Sequence, residues 1–127
     1  MTSISQLRPE HYDDLRELFK IYECSADPST YDPDWTLVVL VDNKAVGFLA
    51  AWVCGQPYVF LDNFLVHPDH RGTGVAVRLG EAMLAVLEKR HASTGRTIRA
   101  IVTMPSLVEP AKKYGFRTVS AAVAMEK

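Results

Sequence analysis

The spacing of apolar residues predicts two amphipathic helices. The first is expected to begin at Arg8-Pro9-Glu10, because proline and an acid suit a first helical turn. Its apolar positions recur every three or four residues: Tyr12, Leu15, Leu18, Phe19 and Tyr22. The second helix is expected to follow Gly74 and to end near His91. Its apolar face comprises Val75, Ala76, Leu79, Ala82, Met83, Val86 and Leu87.

Runs of β-branched and aromatic residues predict strands between and around these helices. Residues 35–41, 45–54 and 58–66 are joined by short turns and predict an antiparallel meander. Residues 4–7, 97–103 and 116–125 are further strand candidates, and residues 105–114 predict a short helix interrupted by Pro110. The order β-α-β-β-β-α-β-α-β indicates an α/β fold with a mixed sheet.

Length and composition agree with a globular fold. The chain has 127 residues, of which 48% are hydrophobic and 23% charged, so we expect a single domain over residues 1–127. No apolar run reaches the roughly 18–20 residues that span a bilayer, and the N-terminus has no basic-then-apolar secretion signal. Cys24 and Cys54 are too few for a disulfide framework. A cytoplasmic protein without a membrane segment is therefore expected.

Charge is distributed unevenly along the chain. The formal net charge of −1 favours neither nucleic acid nor an anionic membrane as a partner. Residues 1–36 carry a net charge of −5, whereas residues 67–127 carry +5. A cationic half suits a phosphate-bearing ligand and an anionic half suits a cationic one, although a mixed, solvated surface is the alternative explanation.

The most informative segment joins the strand 58–66 to the second helix. Arg71, Gly72, Thr73 and Gly74 stand where free helical N–H groups and glycines would form an anion site; a tight turn with a glycine helix start is the alternative. A G-x-x-x-x-G-K-S/T phosphate loop is absent, and Val77 replaces the third glycine of a dinucleotide fingerprint. His67 and His70 lack further ligands at useful spacing, so no metal is expected.

This junction resembles the GNAT superfamily of acetyl-CoA-dependent N-acetyltransferases. Arg71-Gly72-Thr73-Gly74-Val75-Ala76 is similar to the family's acyl-donor motif Q/R-x-x-G-x-G/A, and the element order and the closing Tyr114-Gly115-Phe116 also look like the family. The resemblance implies a GNAT-like α/β fold with its CoA cleft between the fourth and fifth strands. It also implies transfer of an acetyl group from acetyl-CoA directly to a primary amine.

The resemblance assigns roles to individual residues of the donor site. Backbone amides from Arg71 through Gly72, Thr73, Gly74 and Val75 to Ala76 would hold the CoA pyrophosphate. Phe64, Leu65 and Val66 would pair with the pantetheine arm, and an N–H near Leu65 or Val66 would polarise the acetyl carbonyl.

Asp62 is the candidate general base. It is an acid within an apolar strand, and in a regular strand it would share a face with Phe60, Phe64 and Val66. Leu61-Asp62-Asn63 also resembles the Leu-Glu-Asp of family members that acetylate polyamines and small amines. A solvent-facing acid at a strand edge is the alternative.

Tyr114 is the candidate general acid, with core packing as its alternative role. Family members usually place their tyrosine acid where this chain has Ala111, and the asparagine common earlier in this region is replaced by Met104 or Pro105. A catalytically weak or inactive acyl-CoA-binding or regulatory module is therefore the second hypothesis.

The acceptor amine is expected to lie over the loop of residues 24–34. The acids of this region, Glu23, Asp27, Asp32 and Asp34, favour a cationic acceptor such as a polyamine-like molecule, an amino sugar, or a protein lysine or N-terminus. By analogy with the family, the last strand, residues 119–125, offers an edge through which two copies would form a homodimer.

Overall fold

The computed structural model describes residues 1–53, 58–94, 97–100, 112–113 and 115–117. Its strands are β1 (Thr2–Gln6), β2 (Thr36–Val41), β3 (Lys44–Val53), β4 (Tyr58–Val66) and β5 (Thr97–Ala100). Its helices are α1 (Tyr12–Ile21) and α2 (Val75–Thr94). Four short 3-10 turns lie between them: Pro9–His11, Pro28–Thr30, Pro33–Trp35 and Pro68–His70. The described elements follow the predicted order as far as β5.

Several element boundaries differ from the predicted ones. The first strand is Thr2–Gln6 instead of residues 4–7. Leu7, directly after it, is buried, and its N–H bonds to the Thr36 carbonyl at 3.1 Å. Trp35 closes a 3-10 turn instead of opening β2, since Asp32 caps that turn. The second helix extends to Thr94, beyond the predicted end near His91.

The five strands of the described residues form one mixed sheet in the order β1-β2-β3-β4-β5. Strands β1 to β4 are antiparallel, whereas β5 runs parallel to β4, with Tyr58 opposite Thr97 and Leu61 opposite Ala100. Of the predicted helix 105–114, only residues 112 and 113 are described, and both are helical. Of the predicted last strand, residues 116–125, only residues 116 and 117 are described, and neither is in a strand. Its homodimer edge at residues 119–125 lies outside the described residues. Among the described helices, none has the length and apolarity needed to cross a membrane.

The two helices cover opposite faces of the sheet, because neighbouring strand residues point alternately to each side. One core cluster joins α1 to three strand positions: Leu15, Leu18 and Phe19 with Val38, Phe48 and Ala50. The other joins α2 to the intervening positions: Leu79, Met83 and Leu87 with Leu37, Leu49 and Ala51.

Gly47 in β3 leaves room for the side chain of Val39 on the neighbouring strand β2. A Cβ atom at this position would lie 2.4 Å from Val39 Cγ1 and 3.4 Å from Leu79 Cδ2. The 2.4 Å separation from Val39 is too short for a side chain, so only glycine fits here without repacking. Val75 at the start of α2 packs in one cluster with Val66 at the end of β4, where the candidate site lies.

Candidate active site

The loop of residues 67–74 connects β4 to α2, and the core fixes both of its ends. Val66, the last residue of β4, and Val75, the first of α2, are buried in one cluster with Val39 and Val46. The His67 N–H also bonds to the Val46 carbonyl at 2.8 Å. The ends of the loop are therefore positioned by packing and by the sheet, independently of any ligand.

The first half of this loop satisfies its own backbone. Residues Pro68–His70 form a 3-10 turn, and the His67 Nδ1 atom accepts the Asp69 N–H at 3.1 Å. The His70 N–H bonds to the His67 carbonyl at 2.9 Å and the Arg71 N–H to the Pro68 carbonyl at 3.3 Å. The turn thus ends with Arg71 in an extended conformation, leading into the glycines.

The second half of the loop is open. Gly72 and Gly74 have φ of 76° and 83°, and a Cβ atom at either would meet no atom within 4 Å. Within the part of the chain that the structure describes, the backbone N–H groups of residues 72–77 have no acceptor. Alternating glycines with positive φ at a helix N-terminus turn successive N–H groups towards one ligand, which is the geometry of an anion-binding nest.

Two cations accompany these amides. Arg71 and Arg78 are exposed, and neither forms a salt bridge with another described residue. The Arg78 N–H bonds to the Gly74 carbonyl at 3.1 Å and so makes the first turn of α2, whose dipole adds positive potential at the same end. The arrangement can bind a diphosphate through main-chain donors, with guanidinium groups supplying charge.

A β-bulge interrupts the regular pairing of β4 next to Asp62. Phe48 pairs with Leu65 and Ala50 pairs with Asp62, so three residue steps in β4 oppose two in β3. The expectation that Asp62 shares a face with Phe60, Phe64 and Val66 held only for a regular strand, and β4 does not meet that condition between Asp62 and Leu65. The register instead places Asp62 opposite Ala50, a residue of the α1-side core.

The positions expected to pair with pantetheine alternate between the two faces. Phe64 is 40% exposed and lies beside α2, since a Cβ at Gly80 would be 3.6 Å from its Cε2 atom. Leu65 is half-buried and packs against the α1-side core, and Val66 is buried on the α2 side. Because the next N–H, that of His67, bonds to β3, the Val66 carbonyl points away from β3.

Tyr22, at the C-terminus of α1, contacts both β4 and the loop. Its hydroxyl donates a hydrogen bond to the Val66 carbonyl at 2.5 Å and accepts one from Arg71 Nη2 at 2.5 Å. Sequence reasoning missed this role and assigned Tyr22 only to the apolar face of α1. The contacts span 44 and 49 residues of sequence, so no local pattern could have revealed them.

The acids of the loop after α1 are largely engaged in local structure. Asp27 accepts hydrogen bonds from Arg16 Nε at 2.9 Å and from the Ser29 N–H at 3.1 Å, and these partners hold the pKa of Asp27 well below its usual range. Asp32 accepts the Asp34 N–H at 2.9 Å. Glu23 has φ of 54°, and its carboxylate has no hydrogen-bond or ion-pair partner among the described residues.

Only one of the two predicted catalytic residues is among the described residues. Asp62 is placed by its strand register, whereas Tyr114 lies outside the described residues, as do Ala111 and Cys54. Among the described residues no group of three or more histidine, cysteine or acidic side chains could hold a metal. The His67 and His70 rings are 6.1 Å apart, edge to face.

Comparison with known proteins identifies similar sequences and folds. Residues 4–116 match the Acetyltransferase (GNAT) family. No curated protein matches the chain at a significant level. A probable acetyltransferase of unknown function from methicillin-resistant Staphylococcus aureus has a similar structure, with a TM-score of 0.73, 12% identity and coverage of 100% of both chains.

Two further solved structures show the same fold. The Escherichia coli ribosomal-protein-S18-alanine N-acetyltransferase has a TM-score of 0.74 and 19% identity over 94% of this chain and 80% of its own. The aminoglycoside N-acetyltransferase AAC(6')-Iy, solved in complex with CoA, has a TM-score of 0.69 and 22% identity over 100% of this chain and 95% of its own.

Proposed function

Because the chain belongs to the GNAT acetyltransferase family, we propose that it transfers an acetyl group from acetyl-CoA directly to a primary amine. The family match covers residues 4–116 and confirms the predicted class of enzyme, an acyltransferase. A single domain spanning residues 1–127 would carry the activity, with the donor cleft between β4 and β5.

One observation carries the proposal. The N–H groups of residues 72–77 are without acceptors among the described residues, and they belong to an exposed loop that opens a 20-residue helix. The residues present therefore fit the diphosphate of CoA: Gly72, Thr73, Gly74, Val75 and Ala76 would bind it through their backbone, and Arg71, whose N–H bonds to the Pro68 carbonyl, would contribute its guanidinium. The side chain of Val75 is buried, so at that position the backbone is the group that remains to meet a ligand.

The end of β4 supports placing the pantetheine arm beside this site. The described pairing between β4 and β5 runs from Tyr58 to Leu61, and Phe64, Leu65 and Val66 follow it towards the open loop. We propose that the backbone of these three residues holds the arm and that an N–H near Leu65 or Val66 polarises the acetyl carbonyl.

Acetyl transfer requires removal of a proton from the acceptor amine and protonation of the leaving thiolate. When bound, acetyl-CoA supplies the acetyl group and the leaving thiolate. An alkyl ammonium has a pKa of about 10.4, so a base must accept a proton before nitrogen can bond to carbon. We propose Asp62 as this base, directly or through water, and Tyr114 as the group that returns a proton to the thiolate. With a neutral amine the overall products are an amide and a free thiol.

The acceptor is proposed to be a cationic amine. The structural neighbours include enzymes named for an aminoglycoside and for the alanine of a ribosomal protein, which support a small amino sugar and a protein N-terminus as candidate classes. The loop after α1 retains its net negative charge, although Asp27 is paired with Arg16. Electrostatic attraction from this loop would raise the local concentration of a cation.

A catalytically weak or inactive acyl-CoA-binding module is the second candidate. It is favoured by Ala111 at the family's tyrosine position and by Met104 and Pro105 in place of the asparagine. Calorimetric titration with acetyl-CoA, CoA and ATP, followed by thiol release with a panel of amines, separates the two. Turnover supports the transferase, CoA binding without turnover supports the module, and absence of CoA binding rejects both.

A further inference from the structure

Tyr22 links three parts of the molecule that are distant in sequence. Its hydroxyl donates to the Val66 carbonyl at the end of β4 and accepts from the guanidinium of Arg71. The Arg71 Cζ atom also lies 5.5 Å from the centroid of the Tyr22 ring. A hydroxyl has one donor and can accept as well, so both functions of this group are satisfied.

The position of Tyr22 is itself well determined. Directly after it, the Glu23 N–H bonds to the Lys20 carbonyl at 3.1 Å and the Cys24 N–H to the Phe19 carbonyl at 2.9 Å, which closes the C-terminus of α1. The Tyr22 ring is half-buried and packs against the α1-side core. The hydroxyl is therefore presented by a fixed ring on a fixed helix end.

Arg71, by contrast, is exposed, and an exposed arginine otherwise samples many rotamers. Ordering such a side chain when a ligand binds costs affinity, whereas a side chain that is already ordered does not. The hydrogen bond to Tyr22 and the contact with its ring hold the guanidinium at the end of β4 before any ligand arrives.

We propose that Tyr22 is a positioning residue for donor binding, which acts by holding Arg71 where its guanidinium meets the diphosphate of CoA. The inference rests on the proposed function, since it concerns the same donor site. Tyr22 acts through Arg71 and has no part in the transfer of the acetyl group. Its effect therefore belongs to the affinity for the donor and not to the rate at saturation.

The test compares Tyr22→Phe with the matched control Tyr12→Phe. Tyr12 also lies on α1, packs against the same core and has a guanidinium above its ring, since Arg16 Cζ is 5.6 Å from the centroid. By calorimetry we expect Tyr22→Phe to raise the Kd for CoA about three- to tenfold, the range set by immobilising one long side chain. Tyr12→Phe should leave the Kd unchanged, and kcat at saturating acetyl-CoA should be equal in all three proteins.

A double-mutant cycle with Arg71→Met identifies the route of the effect. If Tyr22 acts through Arg71, then Tyr22→Phe will not weaken CoA binding further in the Arg71→Met protein. In the ligand-free chain, the Arg71 Nε–H signal in nuclear magnetic resonance spectra should shift towards that of a solvated arginine in Tyr22→Phe but not in Tyr12→Phe.

Two results would overturn this inference: equal CoA affinity of Tyr22→Phe and Tyr12→Phe, or an equal loss from Tyr22→Phe with and without Arg71. If Tyr22→Phe does not fold, Arg71→Met tests the contact between Tyr22 and Arg71 by changing its exposed partner. Unchanged CoA affinity in Arg71→Met would then reject the proposal. Failure of the unmodified chain to bind CoA would instead reject the proposed function, so the two failures are distinguishable.

Discussion

The loop after α1 and the loop before α2 are built from the same kind of turn. Asp27, Asp32 and His67 each precede a proline, and each accepts the N–H of the residue two positions later through its side chain. In the loop after α1, two such turns follow one another and lead directly into β2. In the loop before α2, a single turn is followed by the open glycine segment.

The difference lies in where the backbone N–H groups find acceptors. Local side chains and carbonyls take up the turn amides of the first loop, so its polar groups serve to build structure. Beyond Arg71, the second loop has no such side chain in the described residues, and its amides remain available to a ligand. The same kind of turn can therefore occur in a loop whose backbone N–H groups bond within the loop or in one whose N–H groups stay available to a ligand. The residues that follow the turn decide which.

Placing a negative charge in the loop before α2 is expected to have the largest effect. Gly74→Asp should raise the Kd for CoA by at least about 100-fold, because a carboxylate about 5 Å from a diphosphate costs roughly 3 kcal/mol at an effective dielectric constant near 20. The fold should persist, since a Cβ at Gly74 meets no atom within 4 Å.

Gly74→Asn is the matched control for this change. Asparagine and aspartate both tolerate a positive φ better than most residues, so the two variants share the same backbone strain and differ in charge. Calorimetry should detect CoA binding to Gly74→Asn and none to Gly74→Asp. Equal affinities would show that the diphosphate does not contact this segment.

Removing the side-chain cap of one turn in the closed loop, the loop of residues 24–34 after α1, should lower the stability of the fold without changing the affinity for CoA. Asp32→Ala removes the acceptor of the Asp34 N–H, and loss of such a cap costs about 1 kcal/mol. Urea unfolding should show this loss, while Asp32→Asn, which can still accept the bond, should remain close to the original stability. A change in the CoA affinity of Asp32→Ala would contradict the assignment of a purely structural role to the loop after α1.

The negative charge of the closed loop should have a weaker effect, on the KM for the acceptor amine. Changing Asp27, Asp32 and Asp34 together to asparagine preserves the capping atoms and removes three negative charges. We expect KM for a polycationic amine to rise about three- to tenfold at low salt and less at higher ionic strength, because exposed charges are screened. An unchanged KM for such an acceptor would remove the electrostatic hypothesis.

Much of the fold was predictable because its signals are local. The helical spacing of Leu15 and Leu18, the β-branched run of β2 and the Gly72-Thr73-Gly74 segment all reflect neighbours in sequence. The GNAT resemblance on these residues is confirmed by the family match over residues 4–116. The donor-site and catalytic assignments remain predictions, because they concern contacts with a ligand.

The features that sequence could not supply depend on pairing between distant segments. The bulge in β4 is defined by its register with β3, and no feature of residues 58–66 alone signals that the regular pairing is interrupted between Asp62 and Leu65. Similarly, the apolar pattern of α1 could not indicate that Tyr22 reaches Val66 and Arg71. Ala76 was expected on the apolar face of α2 but is exposed, whereas its neighbour Val75 is buried.

The smallest effect expected is a pH dependence within the closed loop. Hydrogen bonds from Arg16 and then Ser29 lower the pKa of Asp27 below its ordinary value of 3.8, so the folded state favours the ionised carboxylate. The resulting stability is fully present above pH 3.8 and is lost as the pH falls through the lower, folded-state pKa. The Tm difference between the chain and Asp27→Asn should therefore be constant from pH 7 to about pH 5 and shrink on further acidification. Because the asparagine of the Asp27→Asn variant would still accept the Ser29 N–H, a difference that persisted unchanged below about pH 3 would assign the effect to packing instead of charge.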